Sequence, residues 1–327
     1  MTMLRRSLPI AMAAGLLGIQ RQAAAQSSAT YPSRPVRIIV AAAAGGSTDS
    51  VARLLAQSLS SRLGRSFFVE NRPGAASKTG TLLAARAEPD GHTLILGAVN
   101  SHAINPYLFK DLGYHPVDDF APISQVSSLP NILVVHPTLP ATTVPELITL
   151  LKANPGKYAY GSTGRGSSVN LAAVQFMQAT GTEMLHVPYN GGGRLVIDLL
   201  GNQVQLAFDN ITSSLPHIQT GRLRGLAVTS LARSSLLPEL PSVAEFLPTF
   251  ESSSWHGLFA PARTPVAIVH RLSQELAEIL GSRDIQERFA ALGAIPTSST
   301  PDDFATFIRT EMERWRTVAV AAGLEPE

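Results

Sequence analysis

The 327-residue sequence predicts an α/β fold of two doubly wound α/β units with a cleft between them. Short β-branched runs alternate with segments of helical period almost throughout. Glycine- and hydroxyl-rich turns follow several of the strands, at the ends where open sheets hold ligands. The last third then turns helical, and its amphipathic segments need a sheet to pack on.

The first unit opens with a strand over Val36–Val40 and a helix over Ser50–Arg62. Between them stands Ala41-Ala-Ala-Ala-Gly-Gly-Ser-Thr-Asp49. Ser47, Thr48 and Asp49 offer N-cap choices. Such a strand-to-helix turn points unpaired N–H groups into open space at the positive end of a helix dipole, which suits an anion. Phe67–Glu70 reads as a strand, Thr79–Arg86 as a short helix and Thr93–Gly97 as a strand. A polar loop follows over Ala98–Pro106, so Ser101 and His102 should face the same cleft as Gly45 and Gly46.

The second unit begins near Phe120. An apolar stretch over Pro122–Val135 is broken by Ser127, Ser128 and Pro130. Helices follow over Val144–Lys152, Asn170–Thr180, Leu195–Leu200 and Ser213–Thr220, and strands over Tyr158–Tyr160, Glu183–Val187, Gln203–Asp209 and Arg224–Thr229. Ser254–Ala260 is extended, and Pro265–Gly281, Ser282–Leu292 and Pro301–Ala322 are helical. The expected organisation is residues 26–125 plus 254–327 as one domain and 126–253 as the other, joined by two chain crossings.

Residues 1–25 carry Arg5 and Arg6, an apolar run from Leu8 to Ile19 and then Ala23, Ala24 and Ala25, the layout of a secretory signal peptide cleaved near Ala25. The run is shorter than the roughly 20 residues that span a bilayer. The paired arginines also fit a twin-arginine signal. The chain has 26 basic and 24 acidic residues; losing Arg5, Arg6 and Arg21 leaves 23 against 24, so the apparent basicity belongs to export and no basic tract points to nucleic acid. The absence of cysteine excludes disulfides, thiolate metal sites and lipid attachment through an N-terminal cysteine. The expected product is an exported, periplasmic protein.

Three turns could cradle a ligand: 45–49, 161–168 and 188–193. None is a P-loop, and Gly161, Gly164 and Gly166 lack the dinucleotide spacing. Arg165 and Arg194 sit within two of them, and an arginine fork pairs well with a carboxylate. Asp49 either caps its helix or meets ligand, and Asp209 either orients a loop or meets an amine or hydroxyl. No nucleophile elbow and no metal-binding His/acid spacing occurs. His92, His136 and His186 read as structural, and His102 is the best functional candidate of the eight histidines.

The chain resembles the extracytoplasmic solute receptors of the tripartite tricarboxylate transporter system, the Bug-type binding proteins. The resemblance runs through Tyr31-Pro-Ser-Arg-Pro35, Gly45-Gly-Ser-Thr-Asp49, Val69-Glu-Asn-Arg-Pro-Gly74, Pro89-Asp-Gly-His-Thr93, His102-Ala-Ile-Asn-Pro106, Asp119-Phe-Ala-Pro122 and Val134-Val-His-Pro137. It continues through Tyr160-Gly-Ser162, His186-Val-Pro-Tyr189, Phe208-Asp-Asn210 and Leu226-Ala-Val-Thr-Ser230.

The resemblance implies a type II periplasmic-binding fold, with a small organic carboxylate held between two domains. Closure then presents the loaded form to membrane transporter subunits. It implies a monomer with no cofactor, no metal and no catalytic residue. A receptor feeding a sensor kinase and a cleft hydrolase are the alternatives. Carried over, the contacts fall on Gly45, Gly46, Ser47, Asp49, Ser101 and His102, and opposite them on Ser162, Gly166, Ser167, Ser168, Tyr189 and Asp209. The chain departs from the family pattern at Ala41–Ala44, where Pro-Phe-Pro-x is usual, at Asn170 in place of His, and at Asn190 in place of Lys. Arg194 or Arg165 is expected to supply the missing positive charge.

Overall fold

The structure, a computed structural model, describes residues 31–189 and 191–326; the signal-peptide reading lies outside the described residues. The first half of the sheet is laid down by β1 (Val36–Val40), β2 (Phe67–Asn71) and β3 (Thr93–Ala98), with helices α1 (Ser47–Leu63) and α2 (Lys78–Ala85) between them. β4 (Phe120–Val135) leads into α3 (Val144–Ala153), β5 (Ala159–Ser162), α4 (Ser168–Thr180), β6 (Leu185–Pro188), α5 (Gly192–Leu200), β7 (Leu206–Asn210), α6 (Ile211–Gln219) and β8 (Arg224–Val228). The chain returns through β9 (Ser253–Pro261), α7 (Val266–Gly281), α8 (Arg283–Ala291), the short β10 (Ile295–Pro296) and α9 (Pro301–Ala321).

The strands form one mixed sheet in the order β2-β1-β3-β9-β4-β7-β5-β6, with β8 and β10 also paired to β4. The flanks are parallel, as the alternating pattern predicts. The middle is not: β9 runs antiparallel to β3 and to β4, and β4 is antiparallel to β7 and β8. β4 carries the chain from the first half to the second and β9 carries it back, so these two crossing strands run antiparallel.

The apolar stretch expected over Pro122–Val135 is thus one strand, β4, shared by both halves. Up to Pro130 it pairs with β9 (Pro130 opposite Ser253), and from Asn131 it pairs with β7 (Asn131 opposite Asn210). Proline cannot donate to a ladder and is tolerated where pairing changes hands, which is where Pro130 stands.

Alternation along the strands fills both faces. Val36, Ile38 and Val40 face α1, α7 and α8, whose Leu55, Leu59, Leu272 and Phe289 complete one core. Ile39, Ile95 and Phe259 point the other way, onto Phe304, Ile308 and Trp315 of α9. In the other half Leu133, Val135 and Phe208 pack on α3 and α4, while Ile132, Val134 and Ala207 pack on α5 and α6.

Four helices start two or three residues earlier than their apolar period indicates. α1 begins at Ser47, α4 at Ser168, α5 at Gly192 and α6 at Ile211. Periodicity registers only the part of a helix that meets the core, so glycine and hydroxyl residues read as loop belong to first turns.

Before α2, Ala75, Ala76 and Ser77 all have positive φ (45°, 50° and 76°), and the Ala76 carbonyl accepts from Asn105 Nδ2 at 2.9 Å. A left-handed non-glycine residue costs roughly 1–2 kcal/mol, partly offset in glycine by its looser unfolded chain. Ala76→Gly is therefore expected to raise stability by up to ~1 kcal/mol, read as a higher urea midpoint at unchanged slope. A lowered midpoint would contradict the assignment of strain here.

Candidate functional site

A cavity of about 720 Å³ lies between the end of β1 and the end of β7. One wall is Ala42–Ala44, Gly45, Gly46, Ser47, Thr48 and Ser50; the other is Gly191–Arg194, Val196, Ile197 and Leu200 of α5 with Asn210, Thr212, Ser213 and His217 at α6.

Three helix N-termini open into this space. The N-caps of α1, α5 and α6 are Gly46, Gly191 and Asn210, and none caps its helix through a side chain. The expectation that Ser47, Thr48 or Asp49 caps α1 is corrected. Each helix end therefore carries amide groups without an intrahelical partner and a partial positive charge.

Asp49 shapes this wall from behind. It is buried, and its Oδ2 accepts from Gly45 N at 2.9 Å and from Arg53 Nε at 3.0 Å, while its Oδ1 accepts from Asn71 Nδ2 at 2.9 Å. Asn71 Nδ2 also reaches the Ala42 carbonyl at 3.2 Å. Burial pushes the Asp49 carboxyl up, and the bonds from Arg53, Gly45 and Asn71 outweigh it, leaving it below the ordinary carboxylate range. Asp49 thus ties the 42–45 turn to the first turn of α1 and, through Asn71, to the end of β2. Thr48, in the first turn of α1, pairs with the buried His256 Nε2 at 3.0 Å, whose Nδ1 meets Ser127 Oγ of β4 at 2.9 Å.

On the opposite wall Arg194 is two-thirds exposed and pairs only loosely with Asp198, at 3.4 Å, one turn along α5. Below it Asp209 is fully buried. Its Oδ2 accepts from Ser214 Oγ at 2.7 Å, and burial pushes its carboxyl up to about 7. Asp209 Oδ1, Asn210 Oδ1 and Thr212 Oγ1 have no hydrogen-bond partner among the described residues. Buried polar atoms are nearly always paired, so this cluster beside the cavity is a place where water or a donor on a ligand would find partners.

Several expected contacts lie elsewhere. Ser101 and His102 do not face the cavity: they sit in a tight π-type turn over Asn100–Ile104, both buried. The His102 ring stacks on Phe259 at 3.9 Å and meets the edge of Phe120, and its Nδ1 pairs with Ser101 Oγ at 2.8 Å. Burial pulls its pKa down to about 3, so it is a neutral core residue.

The 161–168 turn is also absent from the lining, because it is satisfied internally. Gly166 N donates to Asn170 Oδ1 at 2.9 Å, Gly164 N to Ser162 Oγ at 3.2 Å, and Ser162 Oγ pairs with His186 Nε2 at 2.7 Å. Ser167 caps α4 by accepting from Asn170 N at 3.2 Å, and the Ser168 carbonyl accepts from Ser252 Oγ at 3.4 Å. Asn170, the departure from the family's histidine, is thus a brace for the turn. Gly166, at φ 71°, packs on Leu108 from the other half of the sheet. Arg165 lines a separate, smaller cavity with Ala76, Leu108 and Phe109. Tyr189 packs its ring on Gly161, and burial, then its bond with Asp198, raise its pKa. Of the expected site residues the cavity brings together Gly45, Gly46, Ser47 and Arg194, with Asp49 and Asp209 directly behind its walls.

The α6 end of the site and the apolar face of α5 escape sequence reasoning. The polar run Asn210-Ile-Thr-Ser-Ser214 directly after a strand is the signal that marks the first.

The model of the tripartite tricarboxylate transporter family receptor matches residues 51–324. The chain belongs to this receptor family. Protein BugT of Bordetella pertussis is 38% identical to this receptor over 303 residues, 92% of this chain and 93% of BugT. Among solved structures, R. palustris Rpa4515 with adipate is 36% identical, with a TM-score of 0.86 over 91% of this receptor and all of that chain. MatC from Rhodopseudomonas palustris with bound malate is 29% identical, with a TM-score of 0.81 over 88% of this receptor and 99% of MatC. The fold expected from the sequence, that of the periplasmic binding proteins, is the receptor's fold. Its strand–turn–helix ends are where the cavity has formed.

Proposed function

We propose that this receptor captures a small organic carboxylate in the cavity between Gly45–Ser47 and Gly191–Arg194 and delivers it, unaltered, to the membrane subunits of a tripartite transporter. The carrying observation is the convergence of three uncapped helix N-termini on one cavity, with Arg194 at its edge. Amide groups and helix dipoles favour an anion at such a point, and a guanidinium adds a charged fork. The carboxylates bound by Rpa4515 and MatC support the same choice.

The two halves of the sheet act as lobes in this reading, divided between Pro130 and Asn131 and between Ser252 and Ser253, where the pairing of β4 changes partners. The chain is exported, loses its signal near Ala25 and works as a monomer. The family is one of receptors, and no catalytic role is assigned to any residue.

A thermal-shift screen over carboxylates tests the proposal. At 100 times its dissociation constant a ligand adds about 2.7 kcal/mol to stability. Arg194→Ala should weaken the best ligand by about tenfold or more, the worth of a hydrogen bond to a charged group. No shift with any carboxylate would defeat the carboxylate reading, and release of a chemically altered ligand would defeat the claim that it is carried intact.

A further inference from the structure

The geometry points to a ligand with a charged head and an apolar body, lying along Ala43, Ala44, Val196, Ile197 and Leu200, in preference to the short hydroxylated di- and tricarboxylates. This rests on the carboxylate reading above and narrows it.

Apart from His217 in the last turn of α6, the polar side chains of the cavity gather at the helix N-termini, and the stretch lined by Ala43, Ala44, Val196, Ile197 and Leu200 is hydrocarbon. Helix α5 shows why. Leu195 and Leu199 point into the core with Ile211 and Leu215. The adjoining face, at 193, 196, 197 and 200, follows helical spacing and lines the cavity instead. Ile197 stands 59% exposed there, a large apolar side chain on the wall of a binding cavity.

The opposite wall matches it. Ala41 is buried and close to Gly80 of α2, where an added Cβ would meet its Cβ at 2.8 Å, so the first alanine of the run is set by packing. Ala43 and Ala44 are exposed to the cavity, and their side chains offer it only methyl groups. A hydroxyl or second carboxylate laid against Ile197, Val196 and the two alanine methyl groups would lose water and find no polar side chain in that stretch, which is how a site disfavours a polar analogue. A methylene or an aromatic ring there would cover Ile197.

Calorimetry of the intact mature chain with straight-chain monocarboxylates from acetate to octanoate, and with malate and citrate, tests this. Affinity is expected to rise about fourfold per added methylene until the cavity is full, the factor for burying one CH₂. Malate and citrate should bind more weakly than the longer acids. In Ile197→Ser, whose side chain lies on an exposed helix face, the rise per methylene should flatten; a merely structural role for Ile197 would lower all affinities by one common factor. A flat series in the wild type, or malate or citrate binding tighter than octanoate, overturns the inference and leaves the carboxylate reading standing. No binding by any of these acids overturns both.

Discussion

Asp209→Asn should gain stability on its parent as pH rises, by about 4 kcal/mol between pH 4 and pH 8. The Asp209 carboxyl titrates near 3.8 when exposed and is pushed up to about 7 by burial in the fold. Between those values the native state holds a proton that the unfolded chain has released, so stability falls as pH rises. About three pH units at roughly 1.4 kcal/mol each give the figure. Asparagine has no proton to lose. His102 and His256, lowered by burial to about 3 and about 4, act in the opposite sense, destabilising the fold as pH drops below their ordinary 6.5. Both are present in parent and variant and cancel in the difference. Urea unfolding of the two proteins at pH 4, 6 and 8 provides the measurement. A difference that stays constant with pH would show that Asp209 is ionised in the fold.

Removing the Glu311 carboxylate should cost about 3–5 kcal/mol, the range for stripping one partner from a buried charged network. Glu311 on α9 is 7% exposed. Its Oε2 accepts from Trp255 Nε1 at 2.9 Å, Trp315 Nε1 at 3.2 Å and Arg314 Nη2 at 2.8 Å, and its Oε1 from Arg314 Nε at 2.8 Å. Arg314 in turn donates to the Glu251 carbonyl at 3.1 Å, two residues before β9 begins. Glu311→Ala leaves two indole N–H groups and a guanidinium without their acceptor, while Glu311→Gln keeps one acceptor and should lose less. Guanidinium unfolding of the three proteins ranks them. Equal midpoints for Ala and wild type would mean that water replaces the carboxylate freely.

The parts of the site legible in sequence are those whose chemistry and placement are local. The Gly45–Gly46 turn is one: a buried strand, two glycines and an amphipathic helix specify a cradle with no help from the rest of the fold. Arg194 and Arg165 show the limit. Each follows glycine in a loop after a strand, and nothing local separates them. Packing does, since α5 turns Arg194 to the cavity, while Arg165 lines a separate, smaller one with Leu108 and Phe109. His102 failed for the same reason, because its stacking partner Phe259 comes from a strand more than 150 residues on. Fold class survived better, because period and alternation report burial directly. The antiparallel middle of the sheet did not, since strand direction is settled by which half of the molecule the chain is returning from.

Strand β4 gives the molecule a flexure in place of a pivot. It passes from one half to the other without a break, β9 beside it, and Thr229 and Ser252 are tied to Asn131 at the point of passage. A widening of the cavity that parted the two halves would bend both crossings, at Pro130–Asn131 and at Ser252–Ser253, and at Pro130 one torsion is already locked by the pyrrolidine ring. Its resting aperture is then a property of the sheet's own twist. Substitutions in these strand residues are expected to shift that aperture more than changes in a surface linker would.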